Sequence, residues 1–480
     1  MDAVEIPKNI ERIKTRFNEK DALFLYRSSK YVRLPRNSKV RSLGIVGLGT
    51  AEKSAPRHGL VIAKEIVNVA NEQKSATLQL VFPAGISANV VQSILESLFI
   101  SLSPHVAFFS DEAKRLSQEI VTNISLILPV ALRRNSQEIV DTARIYARGV
   151  YFAQELVNAP PNYCNTVSLA NAAVTLAKDF GLTYRILDQK DAEKEGMGAY
   201  LGVAKGSMFP PKFIHLTYEG KGTITDTMAF VGKGIVFDSG GYNIKSMASL
   251  MDFMKIDMGG AAAVLGAAYC IGLLKPEGHR IHFIVAAAEN MVSSSAYRPG
   301  DIITASNGTT IQVLNTDAEG RLTLADALLY ARKLGAETII DLATLTGACM
   351  VALVLFAESK GELLHELPLV PEYDESLDSI IADVNNIDKT GYGGSITAAL
   401  FLQRFIKKST HWAHIDMAGP AFLLESNLGT GFGVRTLVEY STPKNSSRPS
   451  VFHFVAGCLD RSKMLLNSHL RLQEKTDKFS

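Results

Sequence analysis

The sequence is poor in cysteine. It has four in 480 residues, Cys164, Cys270, Cys349 and Cys458, and no two form a CxxC pair. That spacing argues against a disulfide-stapled secreted scaffold and against a structural zinc ribbon. It also lacks an excess of charge. Fifty Lys and Arg oppose 48 Asp and Glu, a formal +2, which argues against a surface built generally for nucleic acid. No apolar run is long enough to span a bilayer. The longest, Met258 to Leu274, is 17 residues rich in Gly and Ala, short of the ~20 required, and it reads as a buried helix. The first residues, MDAVEIPKNIERIK, have no apolar core and carry acids early, unlike a signal or transit peptide. There is no HExxH and no GxSxG, so neither a zincin nor a serine hydrolase is supported. The expectation is a soluble cytoplasmic protein with no membrane partner.

What is present is ordinary globular composition, 47% hydrophobic and 20% charged, so a folded core is expected rather than disorder. At about 100–200 residues per domain, the length predicts two or three domains. Residues 1–135 alternate strand-like runs (SLGIVGLG, TLQLVFPAG, NISLILPVAL) with the helical spacing of SANVVQSILESLFISL, which predicts an α/β domain. Residues 136–160 read as one long connecting helix, capped by Ser136 and stopped by Pro160-Pro161. From 161 to 440 five apolar, β-prone runs alternate with strong helices at 259–275 and 319–335. Continuous apolar runs fit strands buried on both faces. The predicted class is α/β with two α/β domains, the second built on a central mixed sheet, mostly parallel, wrapped by helices. Residues 441–480 change character, beginning with the Ser/Pro-rich STPKNSSRPS, and read as an atypical basic tail.

Several acids sit where acids are rare, at the ends of apolar strands beside glycine. Asp238 lies in IVFDSGG, Asp257 in KIDMGGAA, Asp317 and Glu319 in VLNTDAEGRL. Ligands of open α/β sheets bind beyond the carboxyl ends of strands. Four carboxylates gathered there repel one another, and two divalent cations relieve the repulsion, with Mg2+, Mn2+ or Zn2+ suited to oxygen-rich sites. The competing explanation is that Asp257, Asp317 and Glu319 cap helices. Lys233 in VGKGIVF and Lys245 in DSGGYNIK add to the pattern. A lysine beside metal ions becomes a ligand or stabilises an oxyanion. A snorkelling surface lysine is the alternative for each.

Three blocks, VGKGIVFDSGGYNIK, MKIDMGGAA and NTDAEGRLTLADAL, resemble in order and spacing the leucyl aminopeptidase family of dinuclear metallopeptidases. The octapeptide NTDAEGRL is highly specific to that family. ELVNAPPN, RPGDIITASNG, DLATLTGAC, GGSITAALFL, HIDMAGPA and TGFGVRTLVE extend the resemblance from about 150 to 440. It implies a metal-dependent aminopeptidase that removes N-terminal residues, preferably apolar and Leu-like, from peptides with a free N-terminus. It implies two divalent ions per chain, Zn2+ or Mn2+ and alternatively Mg2+. Asp238 and Glu319 would bridge them, Lys233 and Asp257 complete the tighter site, and Asp317 the more exchangeable one. Lys245 would polarise the scissile carbonyl, and Arg321 would hold a bicarbonate acting as general base. Met254, Asn315, Thr344, Gly347 and Ala418 would line the substrate pocket, although Thr344 and Gly347 are equally explained as strand-end packing. The family assembles as a homohexamer.

Two features depart from the family pattern. After TLTGACMVAL the family has a glycine-containing loop and most of a helix, and here the chain runs directly into LFAESKGELLHELPL, an apparent deletion near 352–362. The family ends soon after TGFGVRTLVE, and this chain continues. A catalytically weak or inactive structural homologue is therefore the alternative function, and a nucleic-acid role is disfavoured by charge. GIVGLG at 44–49 lacks the third glycine of a dinucleotide fingerprint, Glu52 standing there, and reads as a strand-end turn. His411 and His414 fall on opposite faces of a strand and do not make a metal pair. Cys349 reads as core. The tail holds seven Lys and Arg and three acids, which leaves 43 against 45 in the family-like body. The slight basicity thus belongs to the tail.

Overall fold

The computed structural model describes residues 29–33, 42–46, 59–103, 105, 107–112, 121, 123–246, 251–351, 362, 364–423, 426–442 and 455–457. The opening peptide, the turn after Val46, the segment 352–361 of the apparent deletion and most of the tail lie outside the described residues. Two compact units divide the chain, and the division falls between Tyr151 and Phe152.

The first unit opens with β1 (Ser29–Arg33) and β2 (Ser42–Val46), which pair antiparallel. After α1 (Gly59–Glu72) come β3 (Thr77–Val81), α2 (Ala88–Ser101) and β4 (Asn123–Ile127). β3 and β4 pair parallel, so their connection must cross over, and α2 lies in that crossover. Ser87 caps α2 through a hydrogen bond from the Val90 N–H. Val91, Ile94 and Leu95 of α2 pack with Ile62, Phe82 and Ile139 as this unit's core. The short α3 (Val130–Arg133) leads into α4 (Ser136–Asn158). Ser136 is the first residue of α4, not its cap. The chain is already coiled at Asn135, whose carbonyl accepts the Ile139 N–H.

The second unit contains α5 (Thr166–Phe180), β5 (Thr183–Leu187), α6 (Gln189–Lys194), α7 (Gly198–Ala204), β6 (Lys212–Glu219) and β7 (Asp226–Asp238). A 3-10 helix, Met251–Met258, runs into α8 (Gly259–Leu274), followed by β8 (His279–Asn290), β9 (Ile302–Thr304), β10 (Thr310–Gln312), α9 (Gly320–Lys333) and β11 (Thr338–Ala343). Then come β12 (Leu364–Glu366), β13 (Val384–Asn385), α10 (Gly394–Gln403), β14 (His411–Asp416), β15 (Phe422–Leu423), β16 (Leu428–Gly429), α11 (Val434–Ser441) and β17 (Val455–Gly457). Eight strands form the main sheet in the order β12-β17-β14-β11-β7-β8-β6-β5. The five from β17 to β8 run parallel, and antiparallel pairs close both edges. β17 comes from the segment that reads as a tail in sequence, so part of that segment belongs to the sheet. β7 is buried from Met228 to Val236, as its apolar sequence, interrupted only by Lys233, predicts. Ala229, Val231 and Ile235 of β7 share a core with Leu324 and Leu328 of α9 and Tyr200 of α7. The parallel strands bring the ends of β7, β8, β11 and β14 to one edge, and the acidic motifs follow those ends.

The apolar run is longer than the sequence indicates. Met251–Leu274 is a continuous 24-residue helical stretch, long and apolar enough to span a bilayer, yet 83% of its most apolar window is buried inside the fold. The charged 3-10 turn hides the run's beginning from a composition scan. Cys164, Cys270 and Cys349 are buried.

One polar cluster lies inside the sheet. His282 pairs directly across from Thr217, and His215 lies two residues earlier on the same face. His215 Nε2 is 3.0 Å from His282 Nδ1, and His215 Nδ1 is 3.2 Å from the Tyr330 hydroxyl of α9. Burial holds both imidazoles down at about 4. A histidine with a depressed folded pKa stabilises the fold fully above its unfolded value near 6.5 and loses that contribution as pH falls toward 4. The thermal midpoint should therefore fall between pH 6.5 and 4. A His215→Gln/His282→Gln protein should show a shallower fall over the same range in differential scanning fluorimetry. An unchanged slope would contradict the account.

Candidate functional site

β7 supplies the first two groups. Lys233 and Asp238 are five residues apart, and an uninterrupted strand would send them to opposite faces. The β7–β8 ladder slips by one residue between Ile235 and Phe237, a bulge that re-aims the end of the strand. Both side chains thereby reach the same buried cluster. Asp257 comes from the 3-10 helix that follows, and Asp317 and Glu319 from the loop before α9. Asp238, Asp317 and Glu319 present oxygens within 4.8 Å of one another, a spacing suited to a metal ion.

Capping does not explain the acids. The residue at the start of α8 is Met258, and neither it nor Glu319, ahead of α9, makes a side-chain cap bond. The acids face the lysines instead. Lys233 Nζ lies 2.7 Å from Asp257 Oδ1 and 2.9 Å from Glu319 Oε1, and it donates to the Thr344 carbonyl at 2.9 Å. Lys245 Nζ lies 2.8 Å from Asp238 Oδ2 and 2.6 Å from Asp317 Oδ1. Lys233 is 3% exposed, which removes the snorkelling alternative. The cluster needs glycine at 320, because a Cβ there would lie 2.4 Å from Lys233 Cε and 2.8 Å from its Nζ. Gly240 serves the loop after β7. It has φ +86°, and a Cβ would meet the Asn243 carbonyl at 2.4 Å.

With every acid ionised, four carboxylates against two ammonium groups give the cluster two excess negative charges. Burial pulls the Lys233 ammonium down, but Asp257 and Glu319 outweigh it and hold the group charged. Lys245 is likewise raised against its burial by Asp238 and Glu319. Burial raises Asp238, Asp257 and Asp317, whereas Glu319 is lowered because the two lysines overcome its burial. Asp257 Oδ2 and Glu319 Oε2 are buried with no hydrogen-bond partner among the described residues. Such oxygens are costly without a cation. The donor set, oxygen-rich with one amine, fits two divalent ions. Arg321 is also buried, and burial brings it down to about 10. Its Nη1 donates to the Asn386 carbonyl at 2.9 Å, while its Nε has no partner among the described residues and is available to an anion.

Of the residues expected to line a pocket, Thr344 and Asn315 bond to residues of this cluster. Thr344 donates from Oγ1 to Asp257 Oδ1 at 2.9 Å, a contact with the acid cluster that plain strand-end packing would not make. Gly347 is exposed, with open space where a Cβ would stand. Met254 and Ala418 are half-buried. Asn315 Oδ1 accepts the Asp317 N–H at 2.8 Å and so shapes its own loop. His411 is exposed, and His414 is buried against Asp341 at 2.5 Å, away from any metal pair.

Several site-building residues escape a motif reading. Asn290, at the end of β8, donates to Asp238 Oδ1 at 2.8 Å and to the Thr316 carbonyl at 2.9 Å. Thr316 and Asn243 bond reciprocally, the Thr316 N–H to Asn243 Oδ1 at 2.8 Å and the Asn243 N–H to Thr316 Oγ1 at 2.9 Å. Tyr297 donates to the Thr316 carbonyl at 2.8 Å. These bonds tie the loop of Asp238 and Lys245 to the loop of Asp317 and Glu319. Asn243 stands between two candidate residues in sequence, which is the one available signal. Asn290 carries none beyond its place at a strand end.

The family description "cytosol aminopeptidase family, catalytic domain" matches residues 151–356 and 353–438, and the two matches meet at the apparent deletion. A probable cytosol aminopeptidase of Thermosynechococcus vestitus is 45% identical over 441 residues, spanning 86% of this chain and 87% of that protein. One from Gloeothece citriformis is 45% identical over 439 residues, spanning 86% and 88%. The solved structure of a mutant tomato leucine aminopeptidase matches with a TM-score of 0.79 at 36% identity, covering 90% of this chain and 87% of that one. Sequence, fold and buried cluster agree: the chain belongs to the cytosol aminopeptidase family and is a leucyl aminopeptidase-like metallo-exopeptidase.

Proposed function

We propose that the chain hydrolyses the N-terminal residue, preferably apolar and Leu-like, from peptides by a two-metal mechanism. The observation that carries this reading is the convergence of Asp238, Asp257, Asp317 and Glu319 with Lys233 and Lys245 in one largely buried cluster. Lys233, as the neutral amine left when a bound cation displaces its proton, and Asp257 would hold one ion and Asp317 the other, with Asp238 and Glu319 contributing to both. Bound there, Zn2+, Mn2+ or Mg2+ ions supply Lewis acidity toward a peptide carbonyl and a nucleophile active near neutral pH.

The chain's own groups do the rest. Lys245 keeps its charge beside Asp238 and Asp317 and offers it where a carbonyl oxygen becomes an oxyanion. Arg321, with its free Nε, would hold the bicarbonate that accepts and returns a proton. Met254, Asn315, Thr344, Gly347 and Ala418 would receive the first side chain. A cytoplasmic homohexamer is the proposed working form; the relatives' name, cytosol aminopeptidase, supports the location, and the assembly rests on the motif resemblance alone.

Assay of the purified protein on a Leu-anilide with Mn2+ or Zn2+ tests the reading. Release should be abolished by chelator and restored by metal. Chelator-insensitive release, or no release from a metal-loaded protein, would count against it. Lys245→Ala should retain both metals and lose about 10²–10³ in kcat, and an unaltered kcat would remove its role. Asp257→Ala should lower the metal content measured by atomic emission; full stoichiometry would exclude Asp257 as a ligand.

A further inference from the structure

We infer that Asn386, to which no motif draws attention, is a positioning residue for the reaction, acting through the Asp317–Glu319 loop and Arg321. The inference rests on the two-metal reading above. Asn386 is wholly buried and follows β13, which pairs parallel with β10. Its Oδ1 accepts the N–H groups of Leu314 at 2.8 Å and Asn315 at 3.3 Å. Its Nδ2 donates to the carbonyls of Asn315 at 2.6 Å and Ala318 at 3.3 Å. Its own carbonyl accepts from Arg321 Nη1 at 2.9 Å, and its N–H donates to the Gln312 carbonyl at 3.0 Å.

One side chain thus grips the backbone on both sides of Asp317, and the same residue's carbonyl fixes the guanidinium. The side chains at 317 and 319 are aimed by that backbone. Asp257 and Lys233 belong to the 3-10 helix and β7, and no hydrogen bond joins Asn386 to either element among the described residues. Loss of the Asn386 amide should therefore loosen the Asp317 side of the cluster more than the Asp257 side, which keeps Lys233, Asp238 and Asp257 on other elements. A general weakening of the fold has no such asymmetry. Outer partners of metal ligands commonly contribute 10–100-fold in affinity or activity.

The test compares wild type with Asn386→Ala and with Asn385→Ala. Asn385 is an equally buried neighbour whose amide donates to the Asp378 carbonyl instead. Each protein is loaded with Mn2+, dialysed against weak chelator, and measured for bound metal, kcat and KM on a Leu-anilide. Wild type and Asn385→Ala should retain two ions. Asn386→Ala should retain one, lose about 10–100-fold in kcat with little change in KM, and regain turnover when excess Mn2+ is restored. Two retained ions with wild-type kcat in Asn386→Ala would overturn the inference. So would an equal loss in Asn385→Ala, or a loss that excess Mn2+ does not reverse. A wild-type chain that binds no metal would instead fail the two-metal reading, before any variant is compared.

Discussion

Like charges held a few ångströms apart in a space with little water repel strongly, and the cluster of Asp238, Asp257, Asp317 and Glu319 is such a space. Ionised carboxylates cannot be gathered there without counter-charge. Lys233 and Lys245, each between two of the acids, supply part of it, and divalent ions that displace the Lys233 proton would supply the rest. The two orphaned oxygens on Asp257 and Glu319 mark where the remainder belongs. The requirement to neutralise this cluster explains why the surrounding chain is built as it is.

The sheet meets that requirement by delivering strand ends together. β7, β8, β11 and β14 run parallel, so Asp238, Asn290, Thr344 and Asp416 arrive at one edge. The bulge in β7 converts an odd spacing into a shared destination for Lys233 and Asp238. Asp416 shows how firmly this edge is fixed. Its carboxylate accepts the N–H groups of Leu345 and Thr346 and the hydroxyls of Thr346 and Ser395, anchoring the loop that begins at Thr344. Rigid supports of this kind set the geometry on which the chemistry depends.

Much of this was legible in the sequence, for a physical reason. An acid or lysine inside an apolar, glycine-flanked run is energetically conspicuous, so Lys233, Asp238 and Asp257 stood out, and the octapeptide at 315–322 added family specificity. The otherwise apolar character of β7 announces a strand covered on both faces. Other features had no such mark. A bulge is a matter of ladder register between two strands, and nothing in GKGIVFD declares it. Asn386 in VNNID looks like any loop asparagine, because its partners lie about seventy residues earlier in the chain. Met258 displaces the capping explanation for Asp257 only once the helix start is known. Ser136 failed as a cap because the preceding turn had already coiled the chain. β17 was hidden in a stretch whose composition speaks only of a tail.

The central claim is that the acid cluster is completed by two divalent ions. The most direct measurement is a calorimetric titration of metal-free protein with Mn2+ or Zn2+, with bound metal counted independently by atomic emission. The account predicts two ions per chain and a rise in thermal stability on loading. Saturation at one ion or none, with thermal stability unmoved, would contradict it.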